Sequence, residues 1–213
     1  MMREPGKPAV ADGYHHGDLR RALIGAALAL VTEEQNWAFS LREVARRAGV
    51  SHNAPYNHFA DKRELLAAVA AAGYDALHNK ILASFSADNP PDKALIKSGV
   101  AYVKFGLENP AHYRLMFSSE LSGAGSRPDA VLEAADRTRS VLESILRRGA
   151  HQGVFVSTMK REEELQAAVL TAWSSVHGLT MLALDRLPAI PRKSLDHLAE
   201  KLSRIVCQGM MRR

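Results

Sequence analysis

The sequence predicts an all-α protein: a small N-terminal helix-turn-helix unit of three helices followed by a larger helical C-terminal unit. Three observations carry this. Apolar residues beyond residue 60 recur at helical spacing, with no strand-like alternation. Residues 40 to 51 combine a helix-starting box with a glycine stop. Proline- and glycine-rich breaks fall at Asn89-Pro90-Pro91, at 118–127 and at Pro191, between runs long enough to be helices.

In chain order, residues 1–13 hold Pro5, Gly6, Lys7 and Pro8 and read as a flexible arm, with Arg3 and Lys7 as its only cations. A first helix is expected from Asp18 to Thr32, its apolar stripe made by Leu19, Leu23, Ala26 and Leu30. A second begins at Ser40, where Ser40 and Glu43 form a reciprocal capping box, and carries Leu41, Val44, Ala45 and Ala48 on one face with Arg42, Arg46 and Arg47 left outside. Gly49 supplies the left-handed residue that ends it, and Val50 fills the corner.

The third helix is expected over Ser51 to His58, with Tyr56 and Phe59 as its anchors. Pro55 is tolerated only in a first turn, so the N-terminal residues of this helix must point outward. Its remaining side chains are short and polar. Such a surface suits the major groove of DNA, where Asn pairs bidentately with adenine and hydroxyl or imidazole groups reach base edges or phosphates. A helical hairpin on the surface of an ordinary bundle is the alternative.

A fourth helix starts at the Asp61 cap and runs past Leu77 and Ile81 to about Ser84. Further helices are expected over Lys93 to Glu108, Pro110 to Phe117, Pro128 to Gln152, Lys160 to Leu187, and from Pro191 to about Met210. The divisions are then 1–13 for the arm, 14–60 for the helix-turn-helix domain and 61–213 for the C-terminal domain.

The elements Tyr56-Asn57-His58-Phe59 and Asp61-Lys62-Arg63-Glu64-Leu65 resemble the third helix and the start of the fourth in the TetR family of bacterial transcriptional regulators. Tyr14 to Arg20 and the later Trp173-Ser-Ser-Val-His177-Gly178 resemble the branch of that family with a Trp-His-Gly pattern in its C-terminal domain. Asn57 stands where many relatives carry a longer or basic residue, which leaves the base preference open. The resemblance implies a DNA-binding regulator, with repression its usual mode.

On this reading the DNA-binding residues are Ser40, Arg42, Ser51, His52, Asn53, Pro55, Tyr56, Asn57, His58 and Lys62, with His15 and His16 adding backbone contacts. Asn53 and Asn57 read bases; Tyr56, His58 and Lys62 meet phosphates; Ser40 and Arg42 hold the flanking backbone. The expected partner is a palindromic operator in double-stranded DNA, because a dimer places two readers one helical turn apart.

The segment from Lys160 to Leu187 carries apolar residues on two stripes, and Leu198, Leu202 and Ile205 repeat on the last helix. The expected homodimer interface therefore uses Leu165, Val169, Ala172 and Val176 with Leu198, Leu202 and Ile205. The alternative is that both helices complete the monomer core. A pocket for a small, largely apolar effector is expected among Tyr102, Phe105, Tyr113, Met116, Phe117, Trp173 and His177, which combine aromatic walls with a few polar handles.

Composition bounds the alternatives. Of 213 residues 46% are hydrophobic, enough for a buried core, and the formal charge is +5. Five basic and two acidic side chains lie within residues 38–63, so any basic patch is local. The single cysteine, Cys207, excludes an intrachain disulfide and fits a reducing compartment, the bacterial cytoplasm with nucleoid association when bound. No apolar run is expected to span a bilayer, and residues 1–12 lack the apolar core of a signal peptide. The nine histidines form no i, i+4 pair, which argues against a transition-metal site. Without a phosphate loop, nucleophile elbow or H-E-x-x-H, nothing points to an enzyme or a cofactor. Three classes stay open: a dimeric regulator released by a small molecule, a DNA-binding protein governed by a protein partner, and a helical enzyme or carrier whose hairpin is scaffold.

Overall fold

The computed structural model describes residues 16–121, 125, 127–187 and 191–212. Eight α-helices are present among them: α1 His16–Glu34, α2 Leu41–Arg47, α3 Lys62–Ala83, α4 Pro91–Glu108, α5 Pro110–Met116, α6 Asp129–His151, α7 Glu162–Leu184 and α8 Arg192–Met210. The only extended pairing among the described residues is an isolated bridge between Phe155 and Met211. The expected arm over 1–13 and His15 lie outside the described residues.

The caps form as the sequence dictates. Ser40 Oγ accepts from the Glu43 amide at 3.3 Å, and the Glu43 carboxylate accepts from the Ser40 amide at 2.6 Å, closing the box that starts α2. These bonds hold the Glu43 carboxyl below its ordinary value, the Ser40 amide contributing most. Gly49 adopts φ +70°, and the Val50 amide bonds back to the Ala45 carbonyl at 3.0 Å, so the chain turns sharply after α2. Asp61 accepts from the Glu64 amide at 2.8 Å and starts α3.

The third helix of the expected scheme is much shorter than its sequence suggests. Only Ala54–Asn57 is helical, as a 3₁₀ turn with i to i+3 bonds from Tyr56 to Asn53 and from His58 to Pro55. Pro55 removes one amide donor, and the surrounding Ser, His and Asn residues have low helix propensity, so a full α-helical turn does not propagate. The anchors also differ. Ala54, Pro55 and Phe59 are buried, whereas Tyr56 is 53% exposed.

The 22-residue helix α3 is the spine of the molecule. Leu65 to Ala70 are buried without interruption, followed by Tyr74, Leu77 and Ile81. Its first half packs on α1 and α5 and its length lies along α4 and α6, so one rigid rod joins the helix-turn-helix to the C-terminal bundle. Helix α5 is tied to it by the buried His112, whose Nε2 lies 2.7 Å from the Val69 carbonyl. Helix α7 is, by length and composition, long and apolar enough to cross a membrane, contrary to expectation. One of its faces meets α4, α6 and α8, while a second stripe lies exposed.

Candidate nucleic-acid interface and ligand cavity

The turn after Gly49 displays a continuous polar surface. Ser51, His52, Asn53, Tyr56 and Asn57 are exposed, as is Arg42 on α2. His58 is half-buried against Phe59, their ring centroids 6.5 Å apart. Lys62 is half-buried with its Nζ 5.3 Å from the centre of the Phe39 ring, which aims a cation along the rim of this surface. Two expected contacts change character. Pro55 is buried in the protomer and supports the turn from beneath, so it is withdrawn from the contact set. Ser40 is exposed, but its hydroxyl is engaged with Glu43 at 2.9 Å in the cap. Of the second-helix cations, Arg47 is paired with Glu33 while Arg42 and Arg46 project outward. His16 begins α1.

Exposed Asn and His side chains beside a turn, with cations at the rim, give hydrogen-bond donors and acceptors at base-edge reach and positive charge at phosphate reach. Among the described residues, no side-chain hydrogen bond engages Asn53 or Asn57.

The C-terminal bundle encloses a cavity of about 70 Å³ between α3, α4, α6, α7 and α8. Of the residues expected around an effector, Tyr102, Phe117 and Trp173 line it. Phe105, Tyr113, Met116 and His177 do not. Phe105 is a core residue, and Tyr113 and Met116 are fully buried behind the wall. Tyr113 and His177 instead form a polar chain at the back of the cavity: the Trp173 indole N–H donates to Tyr102 Oη at 3.1 Å, the two tyrosine hydroxyls are 2.9 Å apart, and Tyr113 Oη lies 2.7 Å from His177 Nδ1. Burial pushes both tyrosine hydroxyls far up and holds His177 below its ordinary value, so the chain is neutral.

Sequence reasoning missed most of the wall. Tyr74, Leu77 and Ile81 come from α3, Ser98 and Gly99 from α4, Ala135, Thr138, Arg139 and Leu142 from α6, and Ser203 and Val206 from α8. The α6 set follows an i, i+3, i+4, i+7 spacing that marks a buried face, but only packing reveals which buried faces fail to meet.

The interface helices also need revision. Leu165, Val169, Ala172 and Val176 are buried inside the protomer against α4, α6 and α8, so they are unavailable to a partner. The exposed stripe of α7 lies on the opposite face, at Leu170, Ser174 and Leu182, with Gly178 half-buried between them. On α8 the stripe is as expected in position: Leu198 and Leu202 are half-buried and Ile205 is 58% exposed.

Comparison with known proteins fits this geometry. Residues 23–69 match the model for bacterial regulatory proteins of the tetR family, and residues 95–205 match the tetracycline repressor-like C-terminal domain. The chain belongs to the TetR family. It is therefore a DNA-binding transcriptional regulator and not an enzyme. Over 191 residues this TetR-family chain is 26% identical to the HTH-type transcriptional regulator CymR of Pseudomonas putida, covering 85% of this chain and 90% of that one. A protein of unknown function from Rhodococcus sp. RHA1 superimposes with a TM-score of 0.76 at 28% identity, over 95% of this chain and all of that one. A tetR-family regulatory protein from Rhodococcus RHA1 shares the fold, with a TM-score of 0.66 at 22% identity over 92% of this chain and 98% of the other.

Proposed function

We propose that the protein is a cytoplasmic homodimeric repressor that leaves a palindromic operator when a small, largely apolar molecule fills the cavity. Residues 14–60 read DNA, at the nucleoid, and residues 61–213 sense and dimerise. The observation that carries this reading is that the cavity wall is bonded to the same helix that begins beside the reading turn. Tyr74 of α3 lines the cavity and donates to the Met116 carbonyl at 3.4 Å; Thr138, also in the wall, donates to the Tyr74 carbonyl at 3.1 Å. At the other end of the same segment, Arg63 in the first turn of α3 donates to the Leu121 carbonyl at 3.1 Å. A ligand that displaces Phe117 moves the 116–121 segment, and that segment holds the start and the middle of the spine.

Dimer contact through Leu170, Gly178 and Leu182 of α7 with Leu198, Leu202 and Ile205 of α8 brings the two reading turns into fixed separation. Rotation of α3 changes that separation, and the two turns no longer enter successive major grooves together. The ligand needs only a higher affinity for the DNA-incompetent arrangement, and about 1–3 kcal/mol of coupling is typical.

Gel shift with a palindromic duplex tests the DNA half. Lys62→Ala weakens all duplexes alike and lowers the salt slope by about one, while Asn57→Ala relaxes sequence preference; unchanged binding by both variants overturns the interface. Sedimentation of Ile205→Glu tests the dimer half, since an exposed position leaves the protomer folded. A wild-type protein that is monomeric at micromolar concentration and still binds a palindrome tightly refutes the assembly.

A further inference from the structure

Hydroxyls on the bundle helices follow one habit, with a departure at the cavity. Ser98, Thr138, Ser140, Ser144, Thr171 and Thr180 each return a hydrogen bond to a carbonyl one turn back on their own helix, at 2.7–2.9 Å. Ser203 on α8 does not. It is 4% exposed, lines the cavity, and its Oγ has no hydrogen-bond partner. The hydroxyl is turned toward α4, where a Cβ at Gly99 would lie 2.3 Å from it, so glycine at 99 makes the room in which that oxygen sits. A buried hydroxyl left unbonded carries a desolvation penalty that any oxygen placed beside it relieves.

The rest of the wall fixes what else the occupant must be. Apart from Ser98 and Ser203 at the α4–α8 end and Thr138 and Arg139 on α6, the lining is apolar or aromatic, with Leu77, Phe117, Ala135 and Leu142 among it. The one charged group, Arg139, is already engaged: its guanidinium donates to Gln166 at 3.0 Å, to Asp136 at 3.4 Å and to Glu143 at 3.5 Å. The same burial that raises the Tyr74 hydroxyl to about 12 penalises an anion brought into this space. At about 70 Å³, against the ~150 Å³ that takes benzene, the cavity limits the occupant to at most one ring or a short chain, which displaces wall side chains such as Phe117 as it enters.

We propose that the cavity selects a small uncharged molecule with an apolar body and one hydrogen-bonding oxygen, and that Ser203 is the residue that recognises the oxygen. This rests on the reading of the cavity as the effector site, and it gives that site a specificity. It also places the recognising residue on α8, one position from Leu202 in the exposed stripe.

The test uses the full-length protein and three probes of nearly equal size: phenol, toluene and benzoate. Binding is read by quenching of Trp173 fluorescence in a Trp37→Phe background, since Trp173 lines the cavity. Phenol is expected to bind about fivefold tighter than toluene, the effect of one net hydrogen bond, and benzoate more weakly than either. Ser203→Ala brings phenol to the level of toluene, with thermal melts confirming that the variant is folded. Equal affinity of phenol and toluene in the wild type, tightest binding by benzoate, an unchanged phenol preference in Ser203→Ala, or no binding by any probe overturns the assignment. Release of duplex DNA is measured separately: phenol that binds through Ser203 without releasing DNA defeats the proposed mechanism while leaving the recognition intact.

Discussion

The reading turn and the cavity both carry polar groups, and they treat them in opposite ways. At the turn, Ser51, His52, Asn53 and Asn57 stay exposed, and the tertiary structure beneath them consists of Ala54, Pro55 and Phe59. Around the cavity, Tyr102, Tyr113, Trp173 and His177 bond one another, and Ser203 alone is left over. A surface meant for a large polar partner leaves its donors and acceptors open to water, which costs nothing before the partner arrives. A buried site cannot do so, because each unbonded polar group there is destabilising. Stability and recognition are therefore separable at the turn and entangled at the cavity.

Mutations that respect or violate this contrast sharpen it. The largest effect is expected at the hinge between the two behaviours: Phe59→Ala removes a fully buried ring over which Arg20 also sits, at 5.3 Å, and should cost about 3–5 kcal/mol with loss of DNA binding. Urea unfolding measures it. Next comes Tyr113→Phe, which leaves Tyr102 and His177 short of a partner and should cost about 1–3 kcal/mol while ligand-free DNA affinity holds. A variant with unchanged unfolding free energy would show that the polar chain is no part of the scaffold.

Acid should find the buried side before the exposed one. Burial holds His112 below its ordinary value of 6.5, so the folded state binds fewer protons than the unfolded chain. Its contribution is intact above pH 6.5 and declines as pH falls from there through the folded value. His112→Gln should flatten that part of the stability profile in chemical denaturation followed against pH. The smallest effect belongs to the turn: Asn57→Ala should change stability by less than about 0.5 kcal/mol, yet it alters which duplex is preferred. A large loss of stability there would break the contrast.

Much of the fold is legible in local sequence because its signals act over a few residues. The Ser40–Glu43 box, Gly49 and the Asp61 cap are satisfied within one turn of chain, and they place α2, the corner and the start of α3 where the sequence puts them. The 3₁₀ turn at Ala54–Asn57 departs from expectation for an equally local reason, Pro55 among weak helix formers, whose weight against tertiary anchoring the pattern alone misjudges. The helices of the bundle and their breaks follow from periodicity. Periodicity also says that α7 is apolar on two stripes, since Leu165, Val169, Ala172 and Val176 lie on one and Leu170, Trp173, Met181 and Leu184, with His177, on another.

What the sequence by itself determined is thus the set of elements, their caps and the polar reading turn, each the product of neighbours along the chain. Which stripe of α7 turns inward, which aromatic residues border a cavity instead of filling the core, and that the buried Ser203 hydroxyl is left without a partner were decided only by tertiary structure. The physical reason is that burial is a property of pairs of surfaces. Gly99 and Ser203 stand more than a hundred residues apart in sequence, and only the approach of α4 to α8 makes a polar corner from the two.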